Sequence, residues 1–161
     1  MAVLACSFHP SAQSFRDMFG IKAAVLLDPW MLPLHREIDD GNIVESLSMP
    51  VLCTHAEFFQ WPENLMRENA FRKRAARVIH LKLKDSGHFS YIEGGQTAPF
   101  LSHRLRMTGK EDPVQRLADV NRLISLFVGC VRSELETGSA LVDYISSKPA
   151  VFEVLNFAPI N

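Results

Sequence analysis

Three short apolar runs decide the fold of this chain: Ile21–Leu27 (IKAAVLL), Pro50–His55 (PVLCTH) and Val78–Leu83 (VIHLKL). The first two runs are almost continuously apolar, without the alternation of polar and apolar residues that a half-exposed strand shows. Such runs are typical of strands that are covered on both faces of a parallel sheet. Segments with helical periodicity separate and follow the runs. The pattern therefore predicts an α/β fold with three parallel strands and flanking helices.

Two helices and a C-terminal strand are predicted around these runs. Glu63–Arg77 follows Pro62 and places apolar residues among charges. A longer helix is predicted to begin at Pro113, because proline is tolerated in a first turn and Asp112 before it is a good N-cap. The predicted core face of this helix consists of Val114, Leu117, Ile124, Phe127, Val131 and Leu135. The tail, Ser146–Asn161, is predicted to form a short strand or an extended segment packed on the body.

The composition is that of one folded domain spanning residues 1–161, a length that suffices to bury a core. With 17 basic and 18 acidic side chains there is no cationic excess to hold a phosphate backbone, so no nucleic-acid partner is expected. No apolar run is long enough to span a bilayer. The first eight residues do not resemble a signal peptide.

The cysteines and histidines show no metal-binding spacing. The three cysteines contain no CxxC pair, and the six histidines contain no HExxH motif. These spacings predict neither a disulfide framework nor a zinc site. No metal ion and no other cofactor is therefore expected.

A loop with reactive or aromatic side chains follows each predicted strand. Asp28 begins the first loop (DPWMLPL), His55 begins the second (HAEFFQWP), and His88 lies in the third (KDSGHFSY). Sites in open α/β sheets form beyond the carboxyl ends of the strands, so the three loops are predicted to line one crevice. Asp28 and His88 are 60 residues apart, so only the fold can bring them together. Considered locally, Asp28 also fits a turn before Pro29, and His88 also fits a surface loop.

These loops resemble those of a known family. The stretches LLDPWMLPL, VLCTHAEFFQWPENL and Gly87–Ser90, in this order, resemble the C-terminal half of the platelet-activating factor acetylhydrolases. Those proteins are calcium-independent α/β-hydrolase esterases that remove short or oxidised acyl groups from phospholipids. The later segment MTGKEDPVQRLADVNRLISLFVGCV is also similar to a family segment, so the likeness covers roughly residues 14–135. The resemblance implies an α/β-hydrolase fold of which the nucleophile strand is missing here.

The resemblance also implies roles for individual residues. Asp28 would be the acid and His88 the general base of a serine-esterase triad, and a phospholipid would be the substrate. Four aromatic residues are core residues by default, and some of them are candidates to line an acyl pocket: Trp30, Phe58, Phe59 and Trp61. His55 is predicted to be a core histidine or to support the site. The other histidines are expected to be structural or solvent-facing: His9, His35, His80 and His103.

The nucleophile is the part of the triad that the sequence lacks. The family requires a serine in a Gly-x-Ser-x-Gly turn between a strand and a helix, and this chain contains no such motif. Ser7 lies at the family spacing, 21 residues before Asp28, but His9 does not fit a position where backbone segments must approach closely. We therefore expect this chain to be the C-terminal portion of a family member and to be inactive by itself. Its strand at 21–27 would be an exposed edge that promotes self-association.

Pro99–Met107 mixes Phe100, Leu101 and Leu105 with arginines. This pattern suits either a helix that lies on an anionic lipid surface or a buried amphipathic helix.

Two alternative functions of the chain stay open. The first is a non-catalytic module that binds a membrane or lipoprotein surface or a protein partner. The second is a remnant of a different α/β-hydrolase that acts on other small esters.

Overall fold

A computed structural model describes residues 13–31, 35–40, 49–74, 77–132 and 137–158. A sheet lies at its centre, with the strands in the order β1 (Ala24–Leu27), β2 (Val51–Ala56), β3 (Val78–Leu83) and β4 (Phe152–Phe157). The first three strands are parallel, and the fourth pairs with β3 in the antiparallel direction. The prediction of three parallel strands is confirmed, although the first strand begins three residues later than its apolar run. The tail forms the strand that was expected.

Helices flank the sheet along the chain. The first three are α1 (Gln13–Phe19), α2 (His35–Asp39) and α3 (Pro62–Arg74). After β3 come a 3₁₀ turn (His88–Tyr91) and the helices α4 (Gly94–Thr97), α5 (Pro99–Arg104), α6 (Pro113–Val131) and α7 (Thr137–Ser147). Within the described ranges, no helix combines the length and the hydropathy that crossing a bilayer requires.

Alternate strand residues enter two separate hydrophobic cores, because successive side chains of a strand point to opposite faces. One face packs against α2 and α3 through Ala24, Leu26, Val51, Cys53 and Val78. The other face packs against α6 and α7 through Leu52, Ala56, Ile79, Leu81 and Leu83. All six residues of β2 are buried, as the continuous apolar run predicts for a strand covered on both faces.

The predicted core face of α6 is partly wrong. Phe127 is fully buried as expected, but Val114 is 56% exposed. The other predicted members that the structure describes are half-buried: Leu117, Ile124 and Val131. Leu135 lies outside the described residues. The buried positions of the helix are Arg116, Asp119, Val120, Leu123, Leu126, Phe127 and Gly129.

Charged residues on the buried face of α6 explain this error. Asp119 is buried, yet its Oδ1 lies 2.6 Å from the Lys148 Nζ and accepts a hydrogen bond from the Tyr144 hydroxyl at 3.2 Å. These partners compensate for the loss of water around the carboxylate. A pattern of apolar residues alone assigns such a position to solvent. The start of the helix is as predicted, because the Asp112 side chain accepts a hydrogen bond from the Val114 N–H at 2.9 Å.

β1 lies at an edge of the described sheet. It pairs with β2 on one side, and within the described part of the chain no strand pairs with its other side. Ala24 and Leu26 are buried against α2 and α3, while Val25 and Leu27 are half-buried. The expected edge position is confirmed for the described residues, but the strand retains most of its apolar cover. Self-association through residues 21–27 stays a prediction.

Candidate functional site

The loops after β1, β2 and β3 meet at one edge of the sheet, beyond the carboxyl ends of the strands. The Asp28 N–H donates to the Thr54 carbonyl at 2.7 Å. The Asp28 Oδ1 accepts hydrogen bonds from the Ala56 N–H at 2.9 Å and from the Gln60 Nε2 at 3.0 Å. The Asp28 Oδ2 lies 2.6 Å from the Nδ1 of His88. The fold therefore joins two side chains that are 60 residues apart in the sequence.

The carboxylate of this pair is buried and the imidazole is partly exposed. The Asp28 side chain is 0% exposed, whereas the His88 side chain is 43% exposed. Burial raises the pKa of Asp28, although the hydrogen bonds from Ala56 and His88 act in the opposite direction. Among the described residues, no hydrogen bond involves the His88 Nε2. The arrangement is that of a base whose inner nitrogen is held by a buried acid and whose outer nitrogen can exchange a proton.

Two backbone features place this pair. Asp28 has a φ of 49°, in the left-handed region that aspartate tolerates better than most residues. A Cβ at Gly87 would lie 2.3 Å from the carbonyl oxygen of Arg106, so no other residue fits there without displacement of the backbone. The next turn is fixed by the Phe89 N–H, which donates to the Met107 carbonyl at 2.8 Å. Glycine at position 87 is therefore a packing requirement of the loop that presents His88.

Aromatic side chains lie around His88. The Phe59 ring is 4.3 Å from the His88 ring between centroids, and the Trp61 ring lies edge-on to Phe59 at 5.8 Å. The default assignment of these aromatics to the core is wrong for three of them, since Trp30 is 49%, Phe58 41% and Phe59 37% exposed. They lie in loops beyond the strand ends, where the sheet no longer covers them. Within the described residues, no ring contact joins Trp30 to the other aromatics of this group.

A basic cavity of about 490 Å³ lies near the His88 loop. It is lined by Phe58, Asp85, His103, Arg104, Arg106, Thr108 and Lys110. Asp85 supplies one negative charge against three from arginine and lysine, so the cavity carries a positive potential that favours an anion. Phe58 lines this cavity, and the next residue, Phe59, packs against His88. The cavity therefore lies beside the aromatic side chains around His88.

α5 and the residue after it expose three large apolar side chains. Phe100 is 78%, Leu101 55% and Leu105 58% exposed. Ser102 is the buried residue of this helix. The alternative of a buried amphipathic helix over Pro99–Met107 is therefore wrong, and the apolar side chains face solvent beside exposed arginines.

A buried cluster of His55, Glu68 and His80 lies on the α3 face of the sheet. No sequence motif predicts this cluster. His55 is 4% exposed, and Glu68 and His80 are each 1% exposed. His55 is thus a core histidine and His80 is structural, as expected, but their partner in α3 was not foreseen. No local spacing signals the cluster, because its members come from β2, α3 and β3.

Asn64 connects this cluster to Asp28. Its Nδ2 donates to the Glu68 Oε1 at 3.0 Å and to the Gln60 Oε1 at 2.9 Å. Its Oδ1 accepts the Met31 N–H at 2.7 Å, which ties α3 to the loop that begins at Asp28. Gln60 in turn donates to Asp28. The acid of the candidate site and the buried cluster therefore belong to one hydrogen-bond network.

The described residues bring no nucleophile to His88. Ser7, the weak candidate from the sequence, lies outside the described residues. Ser86 and Ser90 flank His88 in the chain, but both are buried. The Ser86 hydroxyl donates to the Leu83 carbonyl, and the Ser90 Oγ accepts the Gly87 N–H at 3.2 Å. Their hydrogen bonds support the loop and do not reach the imidazole.

Comparison with known proteins gives two findings. A family model described as "Platelet-activating factor acetylhydrolase, isoform II" matches residues 2–135. A protein of chicken (Gallus gallus) named platelet-activating factor acetylhydrolase is 23% identical to the chain over 155 residues. The matched region covers 90% of this chain and 35% of the chicken protein. The chain thus spans about a third of the length of that curated relative.

Proposed function

The chain belongs to the platelet-activating factor acetylhydrolase family, and from this premise we propose that it is the acid–base portion of a serine esterase. The proposed substrate is a phospholipid with an acetyl or short oxidised acyl group at the sn-2 position. The observation that carries the proposal is the 2.6 Å contact between Asp28 and His88 at the carboxyl ends of parallel strands. The proposed fold is the C-terminal half of an α/β-hydrolase, of which β1–β3 form part.

In the proposed reaction, a serine hydroxyl attacks the acyl carbonyl while its proton passes to the His88 Nε2. The departing lysophospholipid oxygen takes that proton, and the acyl group remains on the serine. Water then hydrolyses the acyl-enzyme by the same proton route. Asp28 accepts a hydrogen bond from the Nδ1–H of His88, which leaves Nε2 free to accept a proton and stabilises the imidazolium that forms.

We propose that the serine comes from outside this chain, because the chain contains no Gly-x-Ser-x-Gly sequence. The side of β1 on which no described strand pairs is the proposed place where the strand that leads to this serine joins the sheet. A strand edge with free N–H and C=O groups is a template for such pairing. The chain alone is accordingly proposed to be inactive.

The surroundings of His88 support a phospholipid substrate. The basic cavity suits the phosphate of a phospholipid headgroup, with Arg104, Arg106 and Lys110 as the proposed partners. Phe59 and Trp61 are the proposed walls of a small acyl pocket next to the imidazole. Trp30 and Phe58 are proposed to extend this apolar surface.

A chimera tests the proposed function. A family segment that contains the Gly-x-Ser-x-Gly motif is joined to the N-terminus of this chain, and both the chimera and the chain alone are treated with a fluorophosphonate probe. The chimera is expected to be labelled at its Gly-x-Ser-x-Gly serine and to hydrolyse a 2-acetyl phospholipid. The chain alone is expected to show neither reaction.

The control for this experiment is the chimera with its nucleophilic serine replaced by alanine, which removes the attacking hydroxyl. A folded chimera, judged by circular dichroism, that hydrolyses no short-acyl ester would overturn the proposed function. Labelling of the chain alone at Ser7 would overturn the proposal that the nucleophile is supplied from outside. Faster hydrolysis of small non-lipid esters than of the phospholipid would favour the alternative of a different esterase.

A lipid-surface role is a second candidate function, favoured by the exposure of Phe100, Leu101 and Leu105. Burial of each such side chain in a membrane contributes about 1.5–3 kcal/mol to the free energy of membrane binding. The double variant Phe100→Ser with Leu101→Ser is therefore expected to lower the partition of the chain onto anionic phospholipid vesicles by about tenfold or more. Vesicle co-sedimentation measures this partition.

The matched control for vesicle binding is Met66→Ser, because Met66 is 57% exposed on α3 and does not belong to α5. This variant is expected to bind vesicles as the unchanged chain does. Equal binding by the double variant and the unchanged chain would contradict a lipid role for α5.

A further inference from the structure

Three potential ligand atoms converge in the buried cluster. The His55 Nδ1 lies 3.1 Å from the His80 Nε2 and 3.0 Å from the Glu68 Oε2. The third side of this triangle, from the His80 Nε2 to the Glu68 Oε2, is 3.6 Å. One atom from each of β2, α3 and β3 therefore faces a common point.

The size of the triangle matches a tetrahedral metal site. Zinc binds histidine nitrogen and carboxylate oxygen at about 2.0–2.2 Å, so two ligand atoms of a tetrahedral ion lie about 3.3–3.6 Å apart. The His80–Glu68 separation of 3.6 Å lies at the upper end of that range, and the separations of 3.0 and 3.1 Å lie a few tenths of an ångström below it. Small side-chain rotations would suffice to seat an ion between the three atoms.

The surroundings orient these atoms as a metal site would require. Asn64 donates a hydrogen bond to the Glu68 Oε1, which fixes the carboxylate and turns Oε2 toward the histidines. Among the described residues, the Glu68 Oε2 makes no hydrogen bond of regular geometry, although it is fully buried. A buried carboxylate oxygen that faces two imidazole nitrogens needs a positive charge beside it, which either a proton on an imidazole or a metal ion can supply.

The protonation states of the cluster also suit a metal. Burial lowers the pKa of His80, which favours the neutral imidazole that ligates metals. Burial of Glu68 opposes ionisation, but the two imidazoles beside it outweigh this effect and hold its pKa below the ordinary value. A hydrogen bond between the His55 Nδ1 and the His80 Nε2 requires a proton on one of the two nitrogens. A bound divalent ion would replace that proton and release it to solvent.

From this convergence we infer that His55, Glu68 and His80 form a binding site for a divalent transition metal, with Zn²⁺ as the favoured ion. Two imidazoles and one carboxylate are a ligand set that zinc uses. The three ligands are buried between the sheet and α3, and a water molecule would complete the tetrahedron as the fourth ligand. By fixing α3 against β2 and β3, the ion would also hold Asn64 and Gln60, which reach the loop of Asp28.

Metal titration of the intact chain tests this inference. The chain is refolded with a chelator, exchanged into chelator-free buffer and titrated with Zn²⁺ and with Co²⁺. One equivalent is expected to bind, and Co²⁺ is expected to give the intense visible absorption of a tetrahedral site. A hundredfold excess of Zn²⁺ over its Kd is expected to raise Tm by about 5–10 °C.

Matched variants locate the ion. Glu68→Gln and His80→Gln are expected to weaken binding by at least about a hundredfold. Glu63→Gln, which changes an exposed glutamate of the same helix, and His103→Gln, which changes an exposed histidine, are expected to bind one equivalent as before. Tight binding that survives both cluster substitutions would overturn the assignment.

X-ray absorption of the zinc-loaded, unsubstituted chain provides a test that does not depend on whether the variants fold. Two imidazoles and one carboxylate oxygen are expected around the ion. Sulfur ligands would place the metal on the cysteines and overturn the inference, and so would the absence of stoichiometric binding.

Discussion

Replacing His88 by alanine is expected to lower kcat of the chimeric esterase by about 10⁴–10⁶-fold, because the serine then loses the base that removes its proton. The Asp28–His88 pair lies at the carboxyl ends of the parallel strands, and its imidazole is partly exposed. Hydrolysis of a 2-acetyl phospholipid under saturating conditions measures the effect. Added imidazole is expected to restore part of the activity, since the free base can occupy the space that the substitution leaves beside Phe59.

Two results separate a chemical role of His88 from a structural one. His35→Ala, at an exposed position on α2, is expected to leave kcat unchanged and serves as the control. A His88→Ala chimera with normal thermal stability and a kcat within tenfold of the unchanged chimera would refute the assignment of His88 as the base.

Replacing Asp28 by asparagine is expected to lower kcat by about 10⁴-fold while the fold persists. Asparagine has nearly the same shape and tolerates the left-handed φ of this position. Its amide can donate a hydrogen bond to the His88 Nδ1, which favours the tautomer whose Nε2 carries the proton. That tautomer cannot accept the proton of a serine, so the loss is expected in kcat.

The same substitution is expected to raise the stability of the chain at pH values above the raised folded pKa of Asp28. Burial raises the pKa of Asp28, so the folded state binds this proton more strongly than the unfolded state does. The ionised carboxylate therefore carries a free-energy cost in the folded chain. This cost is absent below the unfolded pKa of about 3.9 and is complete above the raised folded pKa. The Tm difference between Asp28→Asn and the unchanged chain should grow with pH over that window.

Asp85→Asn is the control for this stability measurement. Asp85 also has a positive φ, of 45°, but it does not contact His88. Its Tm difference from the unchanged chain measures the effect of replacing an aspartate of positive φ outside the Asp28–His88 pair. A difference for Asp28→Asn that shrinks as pH rises would contradict the effect of burial on the Asp28 pKa.

The features of this fold that depend on one short segment of sequence, such as strand bounds and helix caps, were predictable. The apolar run at Val78–Leu83 gave a strand with the predicted bounds, and Asp112 gave the predicted helix cap. The core face of α6 was not predictable from apolar residues alone. Asp119 is buried because Tyr144 of α7 and Lys148 just beyond that helix reach it, and these partners are distant in the sequence.

The candidate site was predictable in part. The resemblance singled out Asp28 and His88, and the rule about strand ends predicted that their loops lie close together. The network through Gln60 and Asn64 was not predicted, because amides carry no sequence signal for this role. The cluster of Glu68 with two histidines was not predicted, because its members come from three different elements and have no metal-ligand spacing along the chain.

The sequence by itself determined the elements of this protein: three apolar strands, the helices between and after them, and a loop with reactive or aromatic side chains at each strand end. Periodicity encodes which face of a segment is apolar, and that property is local. Only the tertiary structure decided which side chains meet. The parallel register of β1, β2 and β3 brings their carboxyl ends to one edge and so places Asp28 2.6 Å from His88. The packing of α3 on the same sheet places Glu68 against His55 and His80.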